Sequence, residues 1–297
     1  MKAVVTTRFA PSPTGLMHLG HAYSALFAYD LAKAAGGLFI LRIEDIDTTR
    51  KRPEYVQAII DDLSWLGLEW QLPVRQQSEH LVDYEKQLNK LQNMGVIYPC
   101  YCSRKEINAT RDKILHAPHQ LEEIYPKICL NRPQDEINIL IAQGREPAYR
   151  LNLDKALNIA PLDDYWYDLY NSQQAMNFHA IGDIILARRD IKTSYHLAVT
   201  YDDYLQNISL ITRGCDLLPI TPLHILLQKL LGYSTPYYAH HDLIKDDNQM
   251  RLAKSQNAPS LQSLRKQGTS PQDIRKQIGA TGKKWQIMLE KILIQYS

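Results

Sequence analysis

The feature that most constrains the fold is a strand, helix and strand pattern over the first 45 residues. The segment "AVVTTRF" has the β-branched content of a buried strand, "HAYSALFAYDLAKAAGG" has helical spacing and ends in two glycines, and "LFILRIED" is typical of a second strand. A helical crossover of this length allows the two strands to be parallel. The pattern therefore predicts an α/β fold with a parallel sheet, whose nucleotide site lies at the carboxyl ends of the strands.

Composition narrows the class of protein. The chain has 297 residues, of which 45% are hydrophobic and 22% charged, so it can bury the core of one large domain with an insertion or of two smaller domains. Its 34 basic and 32 acidic residues nearly cancel, so a nucleic-acid surface has to come from local clustering. The N-terminal "MKAVVTTRFAPSP" has a polar loop where a secretory signal would be apolar, and no apolar run approaches roughly 18 residues. We expect a cytoplasmic protein without a membrane partner.

The pattern changes along the chain. Residues 53–95 are predicted to be mostly helical, whereas cysteines, scattered prolines and short strands such as "AYRLNL" and "DIILARR" predict an inserted α+β subdomain after them. Strand and helix patterns return in "NISLITRGCDLLPITPLHILLQKLLG". The predicted segments are 1–98 (first half of the nucleotide-binding domain), 99–185 (insertion), 186–257 (second half) and 258–297 (short helical tail).

Two histidines stand at the start of the first predicted helix. Backbone N–H groups and the helix dipole favour an anion such as phosphate at this position, and His18 and His21 can donate hydrogen bonds to phosphate oxygens. Gly20, between them, leaves room for a flat base against the backbone. Two structural alternatives are a half-formed metal site, and one capping histidine beside one core histidine.

The surrounding sequence resembles a known family. "SPTGLMHLGHA" resembles the HIGH signature of the class I aminoacyl-tRNA synthetases, and Arg8 with "APSPTG" is similar to the glutamyl branch. "LRIEDIDTTR", "LAVTYDD" and "ITRGCDLLPITPLHILLQKLLG" follow in the family's order. The resemblance implies a Rossmann-type sheet and a ligase that forms glutamyl-adenylate from L-glutamate and ATP with Mg²⁺.

Charges in these segments match those of free glutamate. Glu44, at the predicted end of a strand, is suited to an ammonium group, and Arg8 and Arg213 are suited to carboxylates through bidentate forks. Taken singly, each is also explained as an ion pair or, for Tyr195, as a core aromatic residue. The resemblance implies that the glutamate pocket consists of Arg8, Ser12, Glu44, Tyr195 and Arg213.

A second signature of the family is altered. The family's loop reads KLSK or KMSK, whereas this chain has "MRLAKSQ", in which Arg251 and Ala253 replace a lysine and a serine. The resemblance implies that Lys254 contacts ATP together with His18, Gly20 and His21. His18, His21 and Lys254 are accordingly the expected catalytic residues.

The cysteines predict a metal site. Thiolates favour zinc, and three cysteines make an incomplete tetrahedral set. Spacing leaves the fourth ligand open between His116, His119 and Tyr125, and favours a histidine. The resembled branch has C-x-C followed by Y-x-x-x-C, which implies structural Zn²⁺ held by Cys100, Cys102, Tyr125 and Cys129.

The sequence after the altered loop is short. We expect these last 40 residues to be too few for the helical domain that reaches the anticodon in full glutamyl enzymes. The chain resembles the truncated branch that activates glutamate without tRNA and transfers it to the queuosine base of tRNA(Asp), and we expect a monomer. The alternatives are a minimal glutamyl-tRNA synthetase that charges a 3′ end, a non-catalytic paralogue that binds glutamate, ATP or RNA, and a small-molecule adenylate-forming ligase.

Overall fold

A computed structural model describes residues 4–47, 52–114, 124–244 and 259–296. Its strands are β1 (Thr6–Phe9), β2 (Leu38–Ile43), β3 (Gln71–Gln76), β4 (Ile97–Cys100), β5 (Ala148–Leu151), β6 (Tyr165–Asp168), β7 (Ser172–Ala175), β8 (Ile185–Ala187), β9 (Leu210–Gly214) and β10 (Tyr237–His241). Its helices are α1 (Leu19–Ala34), α2 (Pro53–Trp65), α3 (Leu81–Asn93), α4 (Arg104–Ile114), α5 (Gln134–Ala142), α6 (Leu153–Ile159), α7 (Tyr195–Leu205), α8 (Thr221–Leu231), α9 (Leu261–Lys266), α10 (Pro271–Gln277) and α11 (Gly282–Tyr296).

The predicted strand–helix–strand unit is confirmed. β1 and β2 are parallel, with Thr6 opposite Leu38, and α1 packs its apolar residues on them. A third parallel strand, β3, pairs with β2 inside the range predicted to be mostly helical. The sequence pattern misses β3 because "QLPVRQ" contains Pro73, which cannot donate to a ladder and is tolerated at a sheet edge.

The second half of the chain extends the parallel arrangement. β9 pairs with β10 and β10 with β6, all parallel, and β7 is added antiparallel to β6. A backbone hydrogen bond of 3.0 Å from the Ser209 amide to the Thr6 carbonyl brings the start of β9 beside β1. The carboxyl ends of β1 and β9 therefore lie side by side, where open α/β sheets bind ligands.

A separate antiparallel sheet has the strand order β4, β5, β8. Its pairings cross both predicted limits of the insertion, because β4 begins at Ile97 and β8 ends at Ala187. Residues 165–175 belong to the larger sheet instead, through the pairing of β6 with β10. The domain limits remain predictions.

The C-terminal helices α10 and α11 pack against α1, and α9 packs against α2. Leu261, Ile274 and Trp285 join the core cluster that contains the buried face of α1. Asp30 of α1 accepts hydrogen bonds from Arg275 at 2.7 and 3.0 Å and from the Trp285 indole at 2.8 Å. Within the described ranges, no helix combines the length and the apolar character needed to span a membrane.

Candidate active site

A cavity of about 480 Å³ opens at the carboxyl ends of β1 and β9. His21, from the first turn of α1, lines it together with residues from several strand ends. All five residues predicted for the glutamate pocket line this cavity: Arg8, Ser12, Glu44, Tyr195 and Arg213.

Arg8 is part of a buried ion-pair cluster. Its Nε lies 3.0 Å from Asp203 Oδ1 and its Nη2 lies 3.4 Å from Asp203 Oδ2, while Nη1 donates to the Thr212 carbonyl at 2.8 Å. Arg42, which is 0% exposed, approaches the same carboxylate at 2.8 Å. The fork of Arg8 that the sequence assigned to a substrate carboxylate therefore holds Asp203.

Arg213 is surrounded by neutral groups. It donates from Nε to His240 Nε2 at 2.9 Å and from Nη2 to the Thr221 hydroxyl at 2.8 Å, and its Nη1 lies 3.0 Å from His224 Nδ1. In the part of the chain that the structure describes, no carboxylate pairs with Arg213. A buried cation whose protein contacts are all neutral favours an anion in the cavity.

Glu44 supplies a carboxylate to the same cavity, a charge opposite to that of Arg213. Its amide donates to the Pro11 carbonyl at 3.0 Å, and its side chain accepts from Arg42 at 3.1 Å. Burial raises the pKa of Glu44, although Arg42 and Arg8 act against the rise. Burial also raises the pKa of Tyr195, so its phenol is a donor at neutral pH. An ammonium group near Glu44 would restore the preference for the charged carboxylate.

His18 and His21 cap α1 reciprocally. The Gly20 amide donates to His18 Nδ1 at 3.0 Å, and the His18 amide donates to His21 Nδ1 at 3.2 Å. Burial lowers the pKa of both rings, to about 3 for His21, where the neighbouring His18 adds to the shift. Both imidazoles are therefore neutral with the proton on Nε2, which leaves an N–H donor on each ring.

The capping hydrogen bonds bear on the predicted roles of the two histidines and of Gly20. The capping alternative applies to both histidines rather than to one, and Nδ1 of each ring is occupied by a backbone amide. At Gly20, a Cβ would lie 2.9 Å from Cε1 of His18, so the glycine is required by the capping imidazole. Space for a base remains a prediction.

Three thiols and a phenol converge in the antiparallel region. The sulfurs of Cys102 and Cys129 are 3.2 Å apart, and the Tyr125 hydroxyl lies 3.4 Å from the sulfurs of Cys100 and Cys102. All four residues are buried. The Arg150 guanidinium lies 3.6 Å from the centre of the Tyr125 ring and donates to Cys100 Sγ at 3.3 Å. This donor set fits a tetrahedral zinc ion.

A second cavity of about 560 Å³ adjoins the first and shares Ser12, Glu44 and Tyr195 with it. It lies between the end of β2 and the antiparallel sheet. Two arginines and a histidine are among the other residues that line it: Arg150, Arg188 and His196.

Some predicted residues fall outside the described ranges. These are Lys254 with Arg251 and Ala253 of the altered loop, and the alternative zinc ligands His116 and His119.

The sequence reasoning did not single out the residues that hold the arginines. Asp203 stands in the quoted "LAVTYDD" and Arg42 in "LRIEDIDTTR", so a buried acid and a buried base inside apolar patterns were available signals. His224 likewise stands inside the apolar run of the quoted "ITRGCDLLPITPLHILLQKLLG", whereas Asp168 and His240 lie in segments where nothing local marks them.

The chain is similar to several characterised sequences. A model of the class I tRNA synthetases (E and Q), catalytic domain, matches residues 4–293. A Glutamyl-Q tRNA(Asp) synthetase of Rhodobacter capsulatus is 42% identical over 92% of this chain and 99% of its own length. A glutamate–tRNA ligase of Coprothermobacter proteolyticus is 35% identical over 90% of this chain but only 56% of its own length.

Solved structures agree on the fold. The crystal structure of a glutamate tRNA ligase from Elizabethkingia meningosepticum, in complex with its amino acid, superposes with a TM-score of 0.70 at 27% identity. The match covers 90% of this chain and 53% of that one. The chain therefore belongs to the class I tRNA synthetases of the E and Q type, a family of ligases.

Proposed function

We propose that this enzyme activates L-glutamate with ATP, without tRNA, and transfers it to the queuosine base in the anticodon of tRNA(Asp). The observation that carries the proposal is the convergence of Arg8, Glu44, Tyr195 and Arg213 on one cavity beside His21. The match to a Glutamyl-Q tRNA(Asp) synthetase over 99% of that protein's length supports the choice of acceptor.

Glutamate is recognised by charge in this proposal. Arg213 binds the side-chain carboxylate, Glu44 binds the ammonium group, and the phenol of Tyr195 donates to the substrate. Glutamine is discriminated against because its amide leaves the Arg213 cation without a counter-charge. The α-carboxylate is then free to react.

Adenylate formation is a displacement at phosphorus. An α-carboxylate oxygen attacks the α-phosphorus of ATP, and the bond to the β-phosphate oxygen breaks to release pyrophosphate. The Nε2–H groups of His18 and His21, at the start of α1, are preorganised donors for the phosphate oxygens. Lys254 is proposed to add charge stabilisation, and Mg²⁺ to accompany the triphosphate.

Transfer requires a second substrate beside the adenylate. A hydroxyl of the modified base attacks the activated carbonyl, and the bond to AMP breaks. The second cavity adjoins the glutamate pocket and is lined by two arginines and three carboxylates: Arg150, Arg188, Glu44, Asp45 and Asp47. We propose that the anticodon nucleotide occupies this cavity.

Structural zinc is the proposed role of the thiol cluster. When bound, Zn²⁺ would cross-link Cys100, Cys102, Tyr125 and Cys129 and so fix this part of the antiparallel region. Burial, with hydrogen bonds to Cys100 and Cys102, raises the pKa of Tyr125, so ligation requires the metal to displace the phenol proton. Elemental analysis of protein purified without chelator tests the site, and absence of stoichiometric metal would contradict it.

The decisive experiment uses labelled glutamate, ATP and tRNA(Asp) with or without queuosine. The proposal expects pyrophosphate exchange without tRNA, and label only on the queuosine-containing tRNA. Labelling of unmodified tRNA(Glu) would support the minimal glutamyl-tRNA synthetase instead. Absence of exchange under every condition would support a non-catalytic protein.

A further inference from the structure

Arg213 is supported by two residues that are absent from the lining of both cavities. His240, on β10, contacts the guanidinium directly, and Asp168, at the end of β6, contacts His240. Both side chains are 0% exposed. They are therefore buried behind the cavity, where they act on a ligand only through Arg213.

The hydrogen-bond directions along this chain are fixed. Nε2 of His240 accepts from Nε of Arg213 at 2.9 Å, because a guanidinium can only donate. Burial lowers the pKa of His240 to about 4, so at neutral pH its ring carries a single proton. That proton is on Nδ1, which lies 2.6 Å from Oδ2 of Asp168.

The other oxygen of Asp168 is held mainly by Tyr170 and Asn171, although the His240 backbone amide also contacts both oxygens, Oδ2 at 3.1 Å and Oδ1 at 3.3 Å. Oδ1 accepts from the Tyr170 amide at 3.0 Å, from the Asn171 amide at 2.8 Å and from the Asn171 side-chain amide at 2.9 Å. Three donors on one oxygen fix the carboxylate, so that Oδ2 faces His240. Rotation of the group would lose these hydrogen bonds.

We infer that Asp168 and His240 are positioning residues, which hold the His240 proton on Nδ1 and thereby aim the Arg213 guanidinium at the glutamate carboxylate. The inference rests on the proposed function, since it takes glutamate as the ligand of Arg213. Asp168 fixes the tautomer of the His240 ring, and in that tautomer Nε2 is the acceptor for Arg213.

The substitution Asp168→Asn should move the His240 proton from Nδ1 to Nε2, with almost no change in side-chain volume. The amide oxygen keeps the three donors at the Oδ1 position, so the NH₂ group takes the place of Oδ2 and faces His240 Nδ1. The His240 backbone amide loses its acceptor at Oδ2 and keeps only the oxygen at the Oδ1 position, 3.3 Å away. His240 then has to accept at Nδ1 and carry its proton on Nε2. Two donors, from His240 and Arg213, would face each other at 2.9 Å, and the Nε2–H group would have to turn toward the Thr221 hydroxyl, 3.2 Å from Nε2.

The first test is steady-state pyrophosphate exchange by full-length D168N. We expect the KM for glutamate to rise roughly ten- to hundredfold, with the KM for ATP unchanged, because the substitution acts behind Arg213 and does not touch His18 or His21. The matched control is Asp242→Asn, the same chemical change at an exposed residue whose carboxylate accepts from the Tyr170 hydroxyl. D242N should keep the KM for glutamate of the unmodified enzyme. Equal KM values for glutamate in D168N and D242N would overturn the inference.

A second pair of variants separates the two ring nitrogens of His240. In His240→Gln the side-chain oxygen takes the place of Nε2 and accepts from Arg213, whereas in His240→Asn the amide takes the place of Nδ1 and leaves Arg213 Nε without an acceptor. The expected order of KM for glutamate is unmodified, H240Q, then H240N. Adding D168N to H240Q should give little further increase. The reverse order of H240Q and H240N would contradict the inference.

Tautomer measurement separates this inference from the proposed function. In protein with ¹⁵N-labelled histidine, the His240 ring should carry its proton on Nδ1 in the unmodified protein and on Nε2 in D168N. If this change occurs but the unmodified enzyme shows no glutamate-dependent exchange, the proposed function fails and the tautomer control stands. If the tautomer is the same in both proteins, the positioning role fails whatever the activity.

Discussion

Arg8 and Arg213 line the same cavity, but their surroundings differ in charge. Arg8 shares Asp203 with Arg42, so its charge is balanced within the protein. Arg213 contacts two imidazoles and a hydroxyl, and no described carboxylate pairs with it. From this difference we infer that Arg8 mainly holds the strand ends together, and we propose that Arg213 provides the charge for the substrate.

Arg213→Met should have the largest effect on activity. Losing two charged hydrogen bonds to glutamate should lower kcat/KM in pyrophosphate exchange roughly a thousandfold. The free energy of unfolding in urea should change by less than about 2 kcal/mol, since removal of a buried cation offsets the lost hydrogen bonds. Strong destabilisation with activity retained would contradict the assigned role.

Arg8→Met is the complementary variant. It removes one of the two cations on the buried Asp203 carboxylate, so the free energy of unfolding should fall by about 3 kcal/mol. Urea denaturation of R8M and R213M side by side tests the comparison. The comparison of the two arginines is wrong if R213M is less stable than R8M.

Acid should affect the two arginine sites at different pH. Burial lowers the pKa of His240 to about 4, with Arg213 contributing, whereas the unfolded chain titrates near 6.5. The unfolded state therefore gains this proton first, and stability falls as pH decreases from about 6.5 to 4, by about 2 kcal/mol at pH 5.

The Arg8 site should resist acid longer. Burial favours the neutral form of Asp203, but Arg8 and Arg42 outweigh it and lower its pKa below 3.8. Its contribution is lost only as pH falls through that lowered value. Urea denaturation from pH 7 to 5 should show a smaller loss of stability for H240Q than for unmodified protein. If the free energy of unfolding changes equally with pH in the two proteins, His240 is not the cause of the acid-dependent loss of stability.

Glu44→Gln should have the smallest effect of the series. The neutral amide still accepts one hydrogen bond from the substrate ammonium, so the KM for glutamate should rise roughly tenfold. Glutarate, which lacks the ammonium group, should inhibit E44Q and unmodified enzyme equally. Weaker inhibition of E44Q by glutarate would show that Glu44 acts through the cavity's shape rather than its charge.

Local patterns predicted the parts of the fold that depend on nearby residues. The β1–α1–β2 unit was visible because buried strands and a long, mostly apolar helix ending in two glycines have distinct local patterns. β3 was not, because Pro73 and its exposed neighbours at a sheet edge do not produce a strand pattern. Pairing of β6 with β10 joins residues about 70 positions apart, which no local pattern encodes.

In the candidate site, too, residues in local motifs were predictable and residues defined by distant contacts were not. Residues proposed to bind the substrate were identified through quoted motifs, and the structure brings Arg8, Glu44 and Arg213 to one cavity. Residues that hold those side chains were missed, since a buried partner is defined only by the fold. His240 and Asp168 lie on different strands and become partners through the β6–β10 register.

The attachment of the last helices to α1 has a practical consequence for making smaller versions of the enzyme. The sequence patterns predict that a separate C-terminal tail begins at residue 258. In the structure, however, Arg275 and Trp285 of this segment donate hydrogen bonds to Asp30 of α1, the helix that is capped by His18. Cutting the chain at residue 258 would uncover Phe27 and its neighbours, which pack against Trp285. Fusion partners and truncations should therefore respect α11 as part of the catalytic core rather than treat it as a removable tag.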